Sequence, residues 1–234
     1  TGGTMTEIKI CGITNVEDAL AAEAFGADAV GFVFAENSPR YIDPEAAAAI
    51  SARLKTVRRV GVFVNRDVEE VKAIQKICRL DLLQLHGDES PSYCRAFPSS
   101  ILIKAVSREQ EAHPALLQNY EVFAFLVDGR ARGLRGGTGK TADWSAAREI
   151  GRRFRLILAG GLHPGNIEEA LRVVRPDAVD IASGVERSPG CKDHNKMKEL
   201  IRAVHRWKTE GTRPVFCSLP AEGGPSASPV RQKN

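Results

Sequence analysis

Two short stretches end on side chains that could move protons. Lys9-Ile10-Cys11-Gly12-Ile13-Thr14 places a cysteine at the end of an apolar run, with a glycine behind it to let the backbone turn. A thiol there can act as nucleophile, general base or inert filler. Leu126-Val127-Asp128-Gly129 ends a second apolar run on a carboxylic acid, which can either do chemistry or brace a loop. If both runs are strands of one barrel, Cys11 and Asp128 share a rim and form an acid/base pair. That chemistry requires burial to raise the acid's pKa and the thiol's pKa to be held low enough to supply thiolate.

Anion-binding features accompany this pair. Ala159-Gly160-Gly161-Leu162 and Ala182-Ser183-Gly184-Val185-Glu186 each follow an apolar run. Paired glycine loops of this kind present backbone N–H groups to a phosphate, although glycines can also serve only to make tight turns. Arg40, in Asn37-Ser38-Pro39-Arg40-Tyr41, could grip a carboxylate bidentately or simply be solvated. His86, in Gln84-Leu85-His86-Gly87, could line the site or be satisfied by backbone. The loop Gly133-Leu134-Arg135-Gly136-Gly137-Thr138-Gly139-Lys140-Thr141 invites a nucleotide-binding reading, but Leu134 stands where that motif needs glycine. A loop whose N–H groups, Gly137 among them, cover a ligand is the better account.

The elements that must position these residues follow from the hydrophobic pattern. Eight brief apolar runs read as buried parallel strands: 8–11, 29–34, 60–64, 82–85, 101–106, 122–127, 156–159 and 178–181. Amphipathic stretches separate them, several with recognisable starts. Thr14 with Glu17 has the form of a capping box, Asp43-Pro44 puts a cap before a first-turn proline, and Asp67 precedes Val68, Val71, Ile74 and Ile77. Asn166 opens another helix, and a last one runs from about 193 to 208 with Met197, Leu200, Ile201, Val204 and Trp207 on one face. Eight strand-then-helix units predict an α/β fold, a single (β/α)8 barrel of the TIM type, whose reactive groups sit at the C-terminal ends of its strands.

Composition agrees with one soluble globular domain. The chain has 234 residues, 43% hydrophobic and 26% charged, and its net charge of +4 does not suggest a nucleic-acid partner. A small anionic substrate is compatible with it. The five cysteines, Cys11, Cys78, Cys94, Cys191 and Cys217, form no ligand-like pair, so neither a disulfide framework nor a metal site is expected. Cys78 and Cys94 fall in helical stretches, Cys191 in a loop and Cys217 in the tail. Without a signal pattern or a long apolar run, the chain reads as cytoplasmic with no membrane partner. Residues 1–6 read as an extraneous N-terminus, 7–208 as the catalytic barrel, and 209–234, rich in Pro, Gly and Ser, as a tail that is disordered or loosely draped.

Taken in order, Lys-Ile-Cys-Gly-Ile-Thr at 9–14, Ser-Pro-Arg at 38–40, Gln-Leu-His-Gly at 84–87, Asp128 with Gly-Gly-Thr-Gly-Lys at 136–140 and Asp143-Trp144, and Ala-Gly-Gly-Leu at 159–162 with Pro164 and Asn166 form a distinctive set. Ser-Gly-Val-Glu at 183–186, Pro189-Gly190 and Lys192-Asp193 complete it. The set resembles the phosphoribosylanthranilate isomerases of tryptophan biosynthesis, over about residues 8–208. The resemblance implies an Amadori rearrangement needing no metal or organic cofactor, with Asp128 as general acid and Cys11 as general base. It also implies that Arg40 holds the anthranilate carboxylate, that Gly161, Ser183 and Gly184 bind phosphate, that residues 129–141 close over the sugar, and, less directly, that His86 contacts substrate. Ala182, where serine is common in the family, and Ala142, where phenylalanine is common, depart from the pattern without removing a proposed catalytic group. Two alternatives stay open: a histidine-pathway phosphoribosyl isomerase, expected to carry aspartate in place of Cys11, and a non-catalytic barrel that binds a phosphometabolite.

Overall fold

The computed structural model describes residues 5–129, 144–207 and 212–217. In chain order the elements are β1 (Glu7–Cys11), α1 (Val16–Phe25), β2 (Ala29–Val33), α2 (Pro44–Ser51), β3 (Arg58–Phe63), α3 (Val68–Cys78), β4 (Leu82–Leu85) and α4 (Pro91–Cys94). They continue with β5 (Leu102–Ala105), α5 (Arg108–Ala112), β6 (Ala124–Asp128), α6 (Ser145–Gly151), β7 (Leu156–Ala159), α7 (Ile167–Val174) and β8 (Ala178–Ile181). A small antiparallel hairpin, β9 (Glu186–Ser188) and β10 (Cys191–Lys192), precedes the last helix, α8 (His194–Arg206). Strands β1 to β8 pair in sequence and in parallel, and β8 returns to β1 to close the barrel.

The predicted (β/α)8 architecture is therefore present, with strand ends displaced by a residue or two. The displacement matters at β6, where Asp128 is the last residue of the strand rather than the first beyond it. Cys191, expected in a loop, lies in β10. Residue parity explains the two apolar layers. Ile8, Ile10, Val30 and Phe32 face the helices, whereas Ala29, Val60, Leu82, Ile103 and Ile157 pack in the barrel interior. Burying each large aliphatic side chain contributes about 1.5–3 kcal/mol, so the ring of helices and the closed sheet specify one another.

Most of the anticipated helix starts are observed. Asp43 and Asp67 cap α2 and α3 through their carboxylates, and Asp193 caps α8. The start of α1 differs: Asn15, not Thr14, is the cap, its side chain accepting from the Asp18 N–H. The Thr14 hydroxyl instead donates to the Gly190 carbonyl, tying the loop after β1 to the hairpin.

The segment 212–217 also departs from the expectation of a loose tail. Val215 and Phe216 are fully buried and belong to the interior apolar cluster. Glu7, at the start of β1, accepts the N–H groups of Val215, Phe216 and Cys217 at 2.5, 2.7 and 2.9 Å. Arg213 pairs with Asp177 at 2.9 Å and also donates to the Gly151 and Phe154 carbonyls. The barrel's N-terminal end is thus stoppered by its own chain.

Candidate active site

At the opposite end, the C-terminal mouth of the barrel holds a cleft of about 260 Å3. Cys11, Arg40, His86, Asp128, Gly161, Ser183 and Gly184 all line it. The eighth sequence-derived candidate, Gly137, lies outside the described residues, as does most of the 129–141 loop.

Cys11 is the last residue of β1 and is nearly buried, with Val33 and Val62 beside it. Burial, reinforced by the Asp180 carboxylate, pushes its thiol above the ordinary cysteine value; Lys9 and Lys192 pull in the other direction. The resting thiol thus does not meet the low-pKa condition set out from the sequence, because desolvation outweighs the two ammonium groups. Asp128, on β6, is exposed at the rim. Its carboxylate lies over Gly160, since a methyl group on that glycine would fall 1.9 Å from Oδ1.

Arg40 is already oriented. Its Nε and Nη2 donate to the two oxygens of Glu186 at 2.8 and 2.6 Å in a forked pair. Lys192, fully buried, donates to Glu186 Oε1 at 2.8 Å and to the Cys11 carbonyl. Burial opposes the charge on Glu186, but the Arg40 and Lys192 partners hold its pKa below the ordinary glutamate value. Two cations around one anion leave a net positive wall on this side of the mouth.

The glycine loops after β7 and β8 touch. A side chain at Gly184 would have its Cβ 1.8 Å from the Leu162 carbonyl oxygen, so only glycine allows that approach. Gly161 sits at φ +64°, turning the chain directly after its neighbour Gly160. Asn166 braces this turn, donating to the Gly161 carbonyl and accepting from the His163 N–H, rather than capping α7 through its side chain.

Beneath the mouth lies a polar layer that the sequence reading passed over. Lys9 Nζ donates to Gln84 Oε1 at 2.9 Å and to Asp180 Oδ1 at 3.0 Å, joining β1, β4 and β8 through the barrel interior. Gln84 Nε2 lies 2.9 Å from His86 Nδ1. Because an ammonium only donates, Gln84 must turn its oxygen to Lys9 and its NH2 to His86, whose Nδ1 then accepts. His86 is therefore a neutral imidazole protonated on Nε2, and crowding around the ring lowers its pKa, mainly through desolvation. Lys104, buried on the helix side of β5, pairs with Glu89 at 3.1 Å and donates to the Gly87 carbonyl, pinning the loop that follows His86. A single polar residue inside each short apolar run, as in Leu82-Leu83-Gln84-Leu85 or Ala178-Val179-Asp180-Ile181, was the available signal.

Among the described residues, Glu7, Asp28 and Cys217 have ligand atoms within 4.8 Å of one another. They lie at the stoppered end, where Glu7 is occupied by three backbone N–H groups.

A thiol and a carboxylate on one rim, beside a fixed guanidinium, are the set of groups that a barrel enzyme of the acid–base type presents at its mouth. Comparison with known proteins narrows the class. The family model described as N-(5'-phosphoribosyl)anthranilate (PRA) isomerase matches residues 8–203. The N-(5'-phosphoribosyl)anthranilate isomerase of Syntrophus aciditrophicus is 53% identical over 205 residues, spanning 87% of this chain and 89% of that one. That of Thermotoga neapolitana is 50% identical over 203 residues, spanning 85% and 98%. The crystal structure of phosphoribosyl anthranilate isomerase from Thermotoga maritima superposes with a TM-score of 0.78 at 47% identity, covering 87% of this chain and all of that one. A second structure of the enzyme, in complex with reduced 1-(o-carboxyphenylamino)-1-deoxyribulose 5-phosphate, gives 0.76 at 45% identity, covering the same shares. The chain belongs to the N-(5'-phosphoribosyl)anthranilate isomerase family.

Proposed function

We propose that this protein catalyses the Amadori rearrangement of N-(5'-phosphoribosyl)anthranilate to 1-(2-carboxyphenylamino)-1-deoxyribulose 5-phosphate, a step of tryptophan biosynthesis. The observation that carries the reading is the placement of Cys11 and Asp128 on one cleft between Arg40 and the paired glycine loops.

In this reading the ligand's two anionic ends set its orientation. Arg40, steadied by Glu186, offers its remaining N–H groups to the anthranilate carboxylate, and Gly161, Ser183 and Gly184 receive the phosphate. The sugar then spans the mouth between Asp128 and Cys11, with the His86 Nε2–H available to a sugar oxygen and Gly137 among the groups that cover it. Asp128, in its acid form, donates its proton to the furanose ring oxygen. The C1'–O bond breaks and the nitrogen lone pair forms the Schiff base. Cys11, as thiolate, removes the C2' proton, and the C2'–H electron pair gives the enolamine, which tautomerises to the ketone with proton addition at C1'. Atoms and charge balance without a cofactor or metal.

No helix among the described residues is long and apolar enough to cross a membrane. The five cysteines are all free, which supports a reducing cytoplasm as the working compartment.

The test is turnover. Phosphoribosylanthranilate is generated in situ from anthranilate and the activated phosphoribosyl donor by a separate transferase, and its fluorescence is followed as this protein is added. Protein-dependent decay with formation of the ketose is the expected result. A folded, reduced sample without turnover would overturn the reading.

A further inference from the structure

Lys9 is fully buried at mid-depth in the barrel, between the interior apolar cluster and Cys11. An ammonium there costs desolvation that an aliphatic side chain of the same length would avoid, so packing alone does not account for it. Asp180 and Gln84 take two of its N–H groups at 3.0 and 2.9 Å. Lys9 and Cys11 lie two residues apart on the same inward face of β1, so the ammonium's charge acts on the thiol from directly beneath it. Both also pack on Gly31, where a methyl group would fall 2.8 Å from Cys11 Sγ and 3.0 Å from Lys9 Cε.

We propose that Lys9 is a positioning residue of the reaction: anchored by Asp180 and Gln84, its ammonium stabilises the Cys11 thiolate, and through Gln84 it locks the His86 tautomer. The proposal rests on the base role given to Cys11 above.

The charged and titratable groups around the thiol come from every side. Lys9 lies on its own strand, Asp180 on β8 and Lys192 on β10. Arg40, from the loop after β2, senses the thiol, and His86 and Asp128 line the same cleft from the ends of β4 and β6. β3 contributes only the apolar Val62 next to Cys11. Burial lowers the basicity of Lys9, but Asp180 and Cys11 more than restore it, so the ammonium keeps its charge beside the thiolate. Asp180 works in two opposing ways: it keeps Lys9 charged, and it directly disfavours the thiolate. Deprotonation of Cys11 releases its proton to solvent, and the thiolate regains a proton from substrate.

The experiment reads the thiol directly. Iodoacetamide alkylation of Cys11 is followed against pH by peptide mass spectrometry in the wild type, Lys9→Met and Asp180→Asn, alongside the pH profile of kcat/KM. Loss of a neighbouring charge predicts that the Cys11 midpoint rises by about one pH unit or more in Lys9→Met, roughly a tenfold loss of thiolate at a given pH. In Asp180→Asn the midpoint falls. The limb of the kcat/KM profile that reports the base moves the same way in each variant, and 15N NMR of Lys9→Met shows His86 no longer held as the Nε2-protonated form.

A folded Lys9→Met protein with an unmoved or lowered midpoint would overturn the proposal. If Lys9→Met does not fold, Lys9→Gln, which keeps polar atoms for Asp180 and Gln84 but removes the charge, takes its place, and an unmoved Cys11 midpoint in it overturns the proposal. Near-normal turnover by Cys11→Ser is a different failure, read without alkylation: it would remove the base role and with it the purpose assigned to Lys9.

Discussion

At the residue scale the site is a contest between desolvation and fixed charge. Cys11's seclusion raises its pKa, and the buried cations Lys9 and Lys192 work against that. Replacement of Cys11 by Ser or Asp128 by Asn is expected to lower turnover by about a hundredfold to ten-thousandfold, the usual weight of a general acid or base, with the circular dichroism spectrum unchanged. Near-normal turnover in either purified variant would remove that residue's role. Glu186 titrates the other way. Its pKa in the folded protein lies below the ordinary value, so its pairing stabilises the fold above that value and is lost as pH falls through the folded one. Urea midpoints of the wild type and Glu186→Gln should therefore differ at neutral pH and converge below about pH 4. A gap that persists in acid would mean that the lost packing, not the charge, matters.

At the element scale, the ends of helices carry as much of the site as the strands do. Asn15 caps α1 and also donates to Asp18. Asp18 in turn accepts from the Lys192 N–H at 2.8 Å and pairs with His194 at 2.7 Å. One helix start thus anchors the hairpin that supplies Glu186 and Lys192 to Arg40. Asn15→Ala should cost about 1 kcal/mol of stability by urea titration, the ordinary weight of a cap. It should also raise KM through the loosened hairpin; an unchanged KM would confine Asn15 to helix stability. Strand parity is the other device at this scale. In β1 the odd residues Glu7, Lys9 and Cys11 point inward, so a single strand supplies the latch of the stopper, the buried ammonium and the rim thiol.

At the scale of the whole molecule, the two ends of the barrel are built for different tasks. Among the described residues, the C-terminal end holds a cleft lined by Cys11, Arg40, His86 and Asp128, while the N-terminal end is filled by Val215 and Phe216 and latched by Glu7. Phe216→Ala empties an aromatic-sized volume in the floor of the barrel and should cost about 3–5 kcal/mol. For a protein of this size that lowers the melting temperature by roughly 6–20 °C, read by calorimetry. A change of only a degree or two would mean that the segment 212–217 is not part of the cooperative unit.

Much of this was legible in the chain itself, because its information is local. The eight apolar runs, the caps Asp43 and Asp67, and the rim positions of Cys11, Asp128 and the glycine pairs follow from periodicity and turn chemistry, which act over a few residues. What only the tertiary structure decided joins residues far apart in sequence. Lys9 meets Gln84 and Asp180 across 75 and 171 positions, Arg40 finds Glu186 across 146, and Glu7 holds Val215 across 208. The segment 212–217 is short and has no helical or strand period, so pattern reading assigns it no structure; it is ordered because its N–H groups and apolar side chains complete a site that exists only once the barrel has closed. The raised pKa of Cys11 has the same origin, since desolvation depends on what surrounds a group in space and not on its neighbours along the chain.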